Sequence, residues 1–540
     1  MLAGIVLVSW SGVSDRRWGT WVVLFLGCAT FVLLAASYYA FTVDDSFISL
    51  RYARNLAGGH GLVFNTEGGA RVEGYSNFLW VILETPAFLL RMPNDIALQA
   101  VKVLGMAFGV GIVIVVFYFA RLLGLSDRAG LMGSLVLCAI PQLPFWAISC
   151  LETPMFMFWL MLGLYFYVRD SRRGRVPIPS LVFLTLAALT RPEGYFLALG
   201  VLTVRVAVDI MPPRSAKDSG RLWRSLLALG LFLLFCAPHL IWRYRYYGNL
   251  LPNTFYAKRG VVGPGQVWRR FREIWPFLAY VTPLAVLGLL GYVHSHSVAR
   301  REKMLLALAT ILLFVATFVP AGEWMNYRYE LPFVPPLLLL AAAGFDWLLA
   351  LHSKLRPITR CFSSLVPLLC LSVALFLPDA RALQKRMCYA RGLARAHVAL
   401  GRWLKKDAPQ DASCAIWDVG AVPFYSELPT IYDIFPDALV ATHTADYASY
   451  ARSVLSHRPT FIVLRPKDDS NPYHRWCYAF YESAEFTDNY EYLFSYAFHP
   501  QYYLAVYRDS RIVIPDSALN EGGQEARRSI SSANADHWAW

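Results

Sequence analysis

Charged residues are scarce in this chain of 540 residues. They make up 16% of the sequence, against 56% hydrophobic residues, whereas a soluble domain normally carries about a quarter charged residues. The mean hydropathy is +0.41. This composition excludes an ordinary soluble protein and predicts several apolar segments that cross the ~30 Å hydrocarbon layer of a membrane.

Closely spaced cysteines are also lacking. The chain has nine cysteines, but it contains no Cys-x-x-Cys pair and no His/Cys run with the spacing of zinc ligands. A zinc module or a dithiol redox motif is therefore not indicated. The formal net charge is +13. Much of this excess lies in short loops between apolar segments, as the positive-inside rule expects, so we expect no nucleic-acid partner.

Eleven segments have the composition expected of membrane spans. They are residues 21–41, 97–120, 129–147, 151–168, 177–190, 193–210, 224–242, 273–293, 304–320, 331–350 and 361–378. With the N-terminus inside, strongly basic loops such as Arg169 to Arg175 face the cytoplasm. We therefore predict a multi-pass protein of the bacterial inner membrane. The stretch Asn77 to Leu90 is short and contains Glu84 and Pro86, so we expect it to lie in the outer interface.

Three regions follow from this pattern. Residues 1–378 are predicted to form the transmembrane domain, with a first outer loop at residues 42–96. Residues 379–514 contain polar helical patterns and β-type runs such as Phe461 to Leu464. These predict an α/β domain on the periplasmic side. Residues 515–540 lack apolar periodicity and are predicted to be a disordered tail.

Polar clusters in the outer connections indicate a site, because ionisable groups at membrane depth are costly and usually functional. Asp44 and Asp45 directly follow the first span. A carboxylate there can accept a proton from an attacking hydroxyl, and its neighbour can bind a divalent cation. The alternative is a helix-terminal pair that only ends the span at water.

Basic residues in the same connections suit a lipid-phosphate substrate. Arg191, Arg243, Lys258 and Arg328 are expected at the depth of phosphate head groups, and arginine can hold two phosphate oxygens at once. The alternative is that they snorkel to the interface or pair with neighbours such as Glu193.

Three further features also have two interpretations. The aromatic stretch from Trp242 to Tyr247 fits either a surface that stacks on a sugar or an interfacial aromatic belt. Glu152 either serves the site or caps the helix that follows it. His60 lies between two glycines, which is more typical of a turn than of a catalytic group.

Several motifs together resemble one family. The runs Asp44 to Leu56, Gly59 to Asn65 and Val72 to Asn77 resemble the first outer loop of arabinofuranosyltransferase-like proteins of the GT-C glycosyltransferase superfamily. These are similar to the terminal arabinofuranosyltransferases of actinobacterial cell walls. Further motifs follow in the same order: Leu151 to Pro154, Arg191 to Gly194, Tyr246 to Lys258 and Asp418 to Asp433. One departure is Ala321 to Trp324, where relatives usually have Gly-Gly-Asp-Trp.

The resemblance implies a polytopic α-helical membrane protein of GT-C fold, with about 11 transmembrane helices and a C-terminal non-cytoplasmic α/β domain. It implies a polyprenyl-phosphate-linked sugar donor, most consistent with arabinofuranose, and a cell-envelope glycan or protein as acceptor. Asp44 is then the predicted base. Asp45 is its support or the ligand of an auxiliary Mg²⁺, Mn²⁺ or Ca²⁺ ion. The predicted substrate-binding residues are Arg51, His60, Glu73, Tyr75, Asn77, Glu152, Arg191, Glu193, Arg243, Tyr247, Asn253, Tyr256, Lys258, Glu323, Trp324 and Arg328.

Three alternatives remain open on these residues. A transferase of the same fold could use a polyprenyl-phosphate hexose or mannose, because the motifs describe the scaffold better than the sugar pocket. A lipid-linked sugar flippase would also be polytopic and basic outside, but it requires neither an outer α/β domain nor an aspartate pair. A non-catalytic glycan-binding membrane protein would share the aromatic residues.

Overall fold

The computed structural model of the protein describes residues 17–67, 71–210, 220–253, 256, 264–316, 327–352, 380–434, 446–465 and 475–536. Up to His352 the regular elements are helical. The helices of this part are Arg17–Ser37, Ser46–Ala57, Phe78–Leu89, Asn94–Leu122, Asp127–Ala139, Gln142–Ala147, Thr153–Arg172, Ile178–Thr190, Glu193–Ile210, Arg221–Tyr247, Pro264–His294, Arg300–Ala316 and Val334–His352.

Five described helices are long and apolar enough to cross a membrane. They are Trp18–Ser37, Asn94–Leu122, Arg221–Tyr247, Val267–His294 and Leu331–Leu351. The other predicted spans that the structure describes are helical, but they are shorter or more polar. Residues 361–378 lie outside the described part of the chain. The helix at Phe78–Leu89 is present as expected, and its depth in a membrane stays a prediction.

The predicted span at residues 129–147 is wrong as a single helix. One helix ends at Ala139, and a second runs from Gln142 to Ala147. Ile140 has an extended backbone conformation, with ψ at 109°. The cause is Pro141, because proline has no N–H and its ring disfavours a helical conformation in the residue before it.

The chain divides into two compact units. The first comprises Met1–Tyr39, Val101–Trp242 and Gly260–Asp379. Within it, the helices Pro264–His294 and Val334–His352 approach closely through glycines. A Cβ atom at Gly291 would lie 2.2 Å from the carbonyl oxygen of Leu340, and one at Gly344 would lie 2.0 Å from that of Leu287. Small residues at such crossings allow backbone contact, which is typical of helix packing in membranes.

The second unit comprises Ala40–Ala100, Arg243–Arg259 and Ala380–Trp540. Its C-terminal part contains five strands: β1 (Ser413–Ile416), β2 (Thr430–Asp433), β3 (Phe461–Leu464), β4 (Tyr490–His499) and β5 (Tyr502–Asp509). They form one mixed sheet in the order β2-β1-β3-β5-β4. Its helices are Ala380–Leu393, continued by a π-helical turn at Ala394–Val398 and by Ala399–Asp407, then Ala421–Ser426, Tyr447–Ser456, Arg475–Tyr481, Ala484–Asn489 and Asp516–Ala535. The predicted α/β character of this region is confirmed.

Strand direction decides which residues share one edge of this sheet. β1 is parallel to β2 and to β3, and β5 is antiparallel to β3. The carboxyl ends of β1 and β3 and the start of β5 therefore lie at the same edge. All four residues of β3 are buried, as expected of a central strand covered on both faces.

The first loop belongs to the same unit as this sheet. Arg51 is buried, and its guanidinium donates hydrogen bonds to the carbonyl oxygens of Phe64, Pro423 and Leu428 at 2.5–2.7 Å. Asn65 exchanges two hydrogen bonds with the backbone of Ile431, at 2.9 and 3.0 Å. The hydrogen-bond donors of Arg51 are therefore used to join two parts of the chain that are far apart in the sequence.

The predicted disordered tail is wrong for residues 516–535, which form a helix packed on β4. Trp403 donates a hydrogen bond to the Ala518 carbonyl oxygen, and the Ala497 N–H donates one to Ser529. The buried face consists of small residues, namely Ala518, Gly522, Ala526, Ser529 and Ala533. Because these residues carry little hydrophobicity, a search for apolar periodicity does not detect the helix.

Candidate functional site

Asp44 is held by the C-terminal part of its own unit. Its backbone N–H donates a hydrogen bond to the Tyr389 hydroxyl at 3.2 Å, and its carboxylate Oδ1 accepts one from the Ala421 N–H at 2.8 Å. Asp44 is half-buried, and the neighbouring Asp45 is exposed. Among the described residues, no hydrogen-bond donor contacts the second carboxylate oxygen, Oδ2, of Asp44.

Gly420 allows this arrangement because it has no side chain. A Cβ atom at this position would lie 2.2 Å from the Asp44 carbonyl oxygen and 2.4 Å from Oδ2. Real Cβ atoms essentially never approach a heavy atom this closely, so any larger residue would displace the carboxylate.

A second carboxylate, Asp418, lies at the carboxyl edge of the sheet. It follows β1 by two residues, and Arg465 directly follows β3. Asp418 Oδ2 accepts hydrogen bonds from His397 Nε2 at 3.1 Å and from the Tyr502 hydroxyl. Arg465 forms an ion pair with Oδ1 at 3.6 Å and stacks over the Tyr502 ring at 4.1 Å. Ligand sites of α/β sheets commonly lie outside the carboxyl ends of parallel strands.

Burial and neighbouring charges set the protonation of this group of residues. Burial raises the pKa of Asp44 to about 6, the positive charge of His397 opposes this rise, and the charges of Asp418 and Asp45 add to it. Burial alone would raise the pKa of Asp418, but His397, Arg465 and Tyr502 hold it well below its usual range. Burial alone would lower the pKa of His397, but its hydrogen bond to Asp418 and the nearby acidic charges raise it. The arrangement favours an imidazolium between two carboxylates.

The described residues do not supply an evident ligand set for a cation. Mg²⁺ and Ca²⁺ require several oxygen ligands around one point. Among the residues that the structure describes, no three His, Cys, Asp or Glu side chains converge in that way. Asp44 Oδ1 is engaged by the Ala421 N–H, and Asp418 is engaged by His397, Tyr502 and Arg465. We derive no catalytic step through a cation.

Four predicted substrate-binding residues contact one another in the second unit. Arg243 donates two hydrogen bonds to Glu73 Oε1, at 2.8 and 3.0 Å, and both side chains are fully buried. The hydroxyls of Tyr75 and Tyr247 lie 3.1 Å apart. Burial raises the pKa of Glu73 to about 7, although the charge of Arg243 opposes the rise. The N–H of Asn253 donates to the Glu73 carbonyl oxygen at 3.2 Å, so this group fixes residues 243–253 on the first loop.

Four more predicted residues, three of them buried, form a cluster in the first unit. Glu152 Oε1 lies 2.5 Å from Arg328 and 3.7 Å from Arg191. Arg191 also pairs with Glu193 at 2.8 Å, and both arginines lie over the ring of Tyr329. Glu152 occupies the N-cap position of the helix Thr153–Arg172, but its side chain makes no capping hydrogen bond.

Proline directs one arginine into this cluster. The helix Ile178–Thr190 ends at Arg191, whose backbone is extended with φ −148° and ψ 140°. Pro192 disfavours a helical conformation in the residue before it. The Arg-Pro-Glu-Gly sequence therefore breaks the helical path at the point where Arg191 must turn its side chain towards Glu152.

The remaining predicted residues divide between turns, packing positions and undescribed parts. His60 is exposed between Gly59 and Gly61, both of which have positive φ, so it occupies a turn. Asn77 is buried and accepts a hydrogen bond from Ser49 at 3.0 Å. Tyr256 is half-buried. Lys258, Glu323 and Trp324 lie outside the described residues.

Sequence reasoning missed the residues around Asp44. Asp418 lies in a recognised motif, so its role could have been suspected. His397 gave no signal, because it lies inside an ordinary polar helical pattern. It occupies the π-helical turn at Ala394–Val398, and such turns are frequent at functional sites.

Comparisons with known proteins agree with this architecture. Residues 386–513 match a family model described as Domain of unknown function (DUF8728). The chain is 30% identical over 230 residues to the terminal beta-(1->2)-arabinofuranosyltransferase of Mycobacterium tuberculosis. That match covers 40% of this chain and 34% of the relative, so the chain spans about a third of the length of that protein.

Solved structures resemble the protein over almost its whole length. Apo ArnT from Cupriavidus metallidurans has a TM-score of 0.58 and 16% identity, and the match covers 91% of this chain and 98% of that chain. ArnT bound to undecaprenyl phosphate also has a TM-score of 0.58, with 15% identity, covering 93% of this chain and 100% of that chain. AglB from Archaeoglobus fulgidus, in complex with an inhibitory peptide and a dolichol-phosphate, has a TM-score of 0.56 and 12% identity, covering 95% of this chain and 78% of that chain.

These similarities show a multi-pass helical membrane protein of GT-C fold, distantly related to a mycobacterial terminal arabinofuranosyltransferase. The predicted resemblance is confirmed at this level.

Proposed function

We propose that this GT-C-fold protein is a membrane glycosyltransferase that takes a sugar from a polyprenyl-phosphate donor. The sugar that we propose is arabinofuranose, and the acceptor is a cell-envelope glycan or protein. The observation that carries the proposal is the setting of Asp44, whose carboxylate is fixed through Oδ1 by the Ala421 N–H while Oδ2 has no donor among the described residues. Its place after the first span matches the motif of arabinofuranosyltransferase-like proteins.

The proposed reaction has one bond-making and one bond-breaking event. The acceptor hydroxyl oxygen attacks the anomeric carbon of the donor sugar, and a new C–O bond forms. The bond between that carbon and the phosphate oxygen breaks, and polyprenyl phosphate leaves with the electron pair. The hydroxyl proton passes to the Asp44 carboxylate, which acts as general base.

Arg191 and Arg328 are the proposed ligands of the donor phosphate. Their guanidinium groups converge on Glu152, so a phosphate would share donors that now pair with carboxylates. Arginine suits this role because its planar group can make two charge-assisted hydrogen bonds to phosphate oxygens. Lys258, which lies outside the described residues, is a further proposed phosphate contact.

The topology belongs to the proposal as well. We propose eleven spans, with the first loop and the C-terminal region facing the periplasm of a bacterial inner membrane. A cysteine introduced at Ser171 is then expected to resist a membrane-impermeant thiol reagent in intact cells. Labelling of that cysteine from outside would contradict the orientation.

The activity test uses the purified full-length protein in lipid nanodiscs. Synthetic polyprenyl-phosphate arabinofuranose, and the matching mannose donor, are offered with an arabinan oligosaccharide, and the product is identified by mass spectrometry. Asp44→Asn is expected to lower transfer by ~10²–10⁴-fold, since that is the usual contribution of a general base. The amide is nearly isosteric, so donor binding should be retained.

Asp45→Asn is the matched control, because it removes the neighbouring carboxylate and leaves Asp44 in place. A chelator arm with EDTA and added Mg²⁺, Mn²⁺ or Ca²⁺ tests the auxiliary cation. Transfer by Asp44→Asn within a few-fold of wild type would remove the carboxylate from the mechanism. Preferred use of the mannose donor would favour the hexose alternative, and movement of the lipid without transfer would favour a flippase. Retention of the donor's anomeric configuration in the product would exclude the single displacement.

A further inference from the structure

We propose that His397, paired with Asp418, is the positioning residue that supplies the positive charge beside the Asp44 carboxylate during sugar transfer. The inference rests on the proposed function, because it assigns a role within the same site. It concerns a histidine that lies more than 350 residues after Asp44 in the sequence, within the region that matches a family of unknown function.

A closed series of contacts connects the three residues. Tyr389 and His397 lie on one continuous helical segment, residues 380–407. Tyr389 contacts the backbone of Asp44 at 3.2 Å, and His397 contacts Asp418 at 3.1 Å. Asp418 precedes Gly420 and Ala421 in the chain, and Ala421 returns to the Asp44 carboxylate at 2.8 Å. A movement of His397 or Asp418 is thereby transmitted to Asp44 through short, buried segments.

The charges around His397 require a cation at its position. Three carboxylates, Asp44, Asp45 and Asp418, act within this group, and Arg465 is the permanent cation that the structure places on Asp418. The other groups that face the imidazole are the rings of Phe498 and Tyr502, at 5.3 and 6.2 Å between centroids. Burial raises the pKa of the Tyr389 hydroxyl and of the Cys477 thiol, so both of these neighbouring groups are neutral. With a neutral His397, Arg465 would face the carboxylates of Asp44 and Asp418 without a second positive charge from the imidazole.

The two ring nitrogens of His397 differ in their hydrogen bonding. His397 is 2% exposed, and only Nε2 is engaged, by Asp418. Its Nδ1 is buried and has no hydrogen-bond partner among the described residues. A histidine held only for packing would normally have both nitrogens satisfied.

The role follows from simple electrostatics. A carboxylate removed from water is disfavoured as an anion, and an opposite charge nearby restores the anion. The imidazolium of His397 therefore keeps Asp44 in the form that can accept the hydroxyl proton, and Asp418 keeps His397 protonated. His397 itself does not receive the proton from the acceptor.

The kinetic test follows transfer by the full-length enzyme from pH 5 to 10, with the donor that wild type uses best. His397→Gln is expected to raise the pKa of Asp44 from about 6 by roughly 1–3 units, the usual effect of a lost neighbouring charge, and so to lower kcat at pH 7 by about 2- to 100-fold. The KM for the donor should change little. The acid limb of the rate profile should move to higher pH by the same amount, and kcat should recover towards the wild-type value near pH 10, where Asp44 is ionised without the neighbouring cation.

Two companion variants separate this role from simple packing. Asp418→Asn keeps the histidine but removes the anion that raises the pKa of His397, so the pH range in which His397 stabilises the protein should move to lower pH. His499→Gln is the matched control, since His499 is another buried histidine of the same unit and accepts a hydrogen bond from the Gln501 N–H. An unchanged acid limb in His397→Gln would overturn the inference.

A thermal measurement tests the charge of His397 without any activity. A histidine whose folded pKa is raised stabilises the protein below its unfolded pKa of about 6.5, and this stabilisation is lost as pH rises through the folded pKa. The Tm difference between wild type and His397→Gln should therefore shrink from pH 6 to pH 9. A difference that does not change with pH would overturn the inference, even if wild type transfers no sugar. Absence of transfer by wild type, with the thermal trend intact, would refute the proposed function alone.

Discussion

Replacement of Gly420 by alanine tests whether Asp44 must occupy its observed place. The added Cβ atom would lie 2.2 Å from the Asp44 carbonyl oxygen, 2.4 Å from Oδ2 and 2.5 Å from Cγ. Contacts below 3.0 Å do not persist, so the two backbones must separate by an amount on the order of 1 Å. A shift of this size at a reacting group can cost about 10²-fold in rate. We therefore expect kcat of Gly420→Ala to fall by roughly 10²-fold.

The same substitution should cost stability only moderately. Inserting a methyl group into a packed site typically costs ~1–3 kcal/mol, which thermal unfolding of the purified protein can measure. Donor binding, followed separately with a labelled polyprenyl phosphate, should remain close to wild type. A large loss of rate with retained donor binding would show that the position of Asp44 matters, not only its presence.

Gly523→Ala is the matched control in the same unit. A Cβ atom there would meet only the end of the flexible Arg527 side chain, at 3.9 Å, and the residue lies inside the helix Asp516–Ala535. Alanine in a helix is favoured over glycine by roughly 0.5–1 kcal/mol, so this variant should be fully active and slightly more stable. Normal activity of Gly420→Ala would refute the assignment of Asp44 as base.

Three further predictions concern charge and packing. The acid limb of the transfer rate should lie near pH 6, because Asp44 accepts a proton only when ionised and burial raises its pKa to about 6. A profile of kcat between pH 4 and pH 8 measures this limb, and full activity at pH 4 would contradict the prediction. Glu152→Gln leaves Arg191 and Arg328 buried with one anion fewer, so Tm should fall by the equivalent of about 3–5 kcal/mol in the free energy of unfolding, the usual cost of breaking a buried ion pair. An unchanged Tm would mean that the cluster is well hydrated. Deletion of residues 516–540 uncovers Trp403 and Phe494, which pack against Ala518 and Gly522, so Tm should drop by several degrees. If these residues were a disordered tail, their deletion would leave Tm unchanged.

Local sequence features were sufficient for several parts of the molecule. Long apolar runs predicted most of the helices of the first unit, because backbone groups in hydrocarbon must be satisfied within the helix itself. The β-type run Phe461 to Leu464 predicted a buried strand, which it forms. The pair Asp44-Asp45 and the Arg191-Pro192 motif were recognised as candidate site residues because rare polar residues between apolar segments stand out.

Other features depend on contacts between distant parts of the chain. Glu73 and Arg243 were both selected, but only the folded chain shows that they neutralise each other in a buried ion pair. Arg51 was predicted to bind substrate, yet its donors are used by three backbone carbonyl groups of its own unit. The tail helix was missed because its buried face consists of small residues, whose packing depends on the shape of β4.

By itself, the sequence determined the membrane character, most helices of the first unit and the choice of Asp44 as a candidate site residue, since each follows from the chemistry of neighbouring residues. Only the tertiary structure decided how Asp44 is held. The sheet order brings the ends of β1 and β3 to one edge, and a π-helical turn places His397 on Asp418. Gly420 then allows the backbone to approach Asp44. The contacts to Asp44 come from residues 345 and 377 positions away in the chain, and no local pattern of hydrophobicity or charge encodes such a distance.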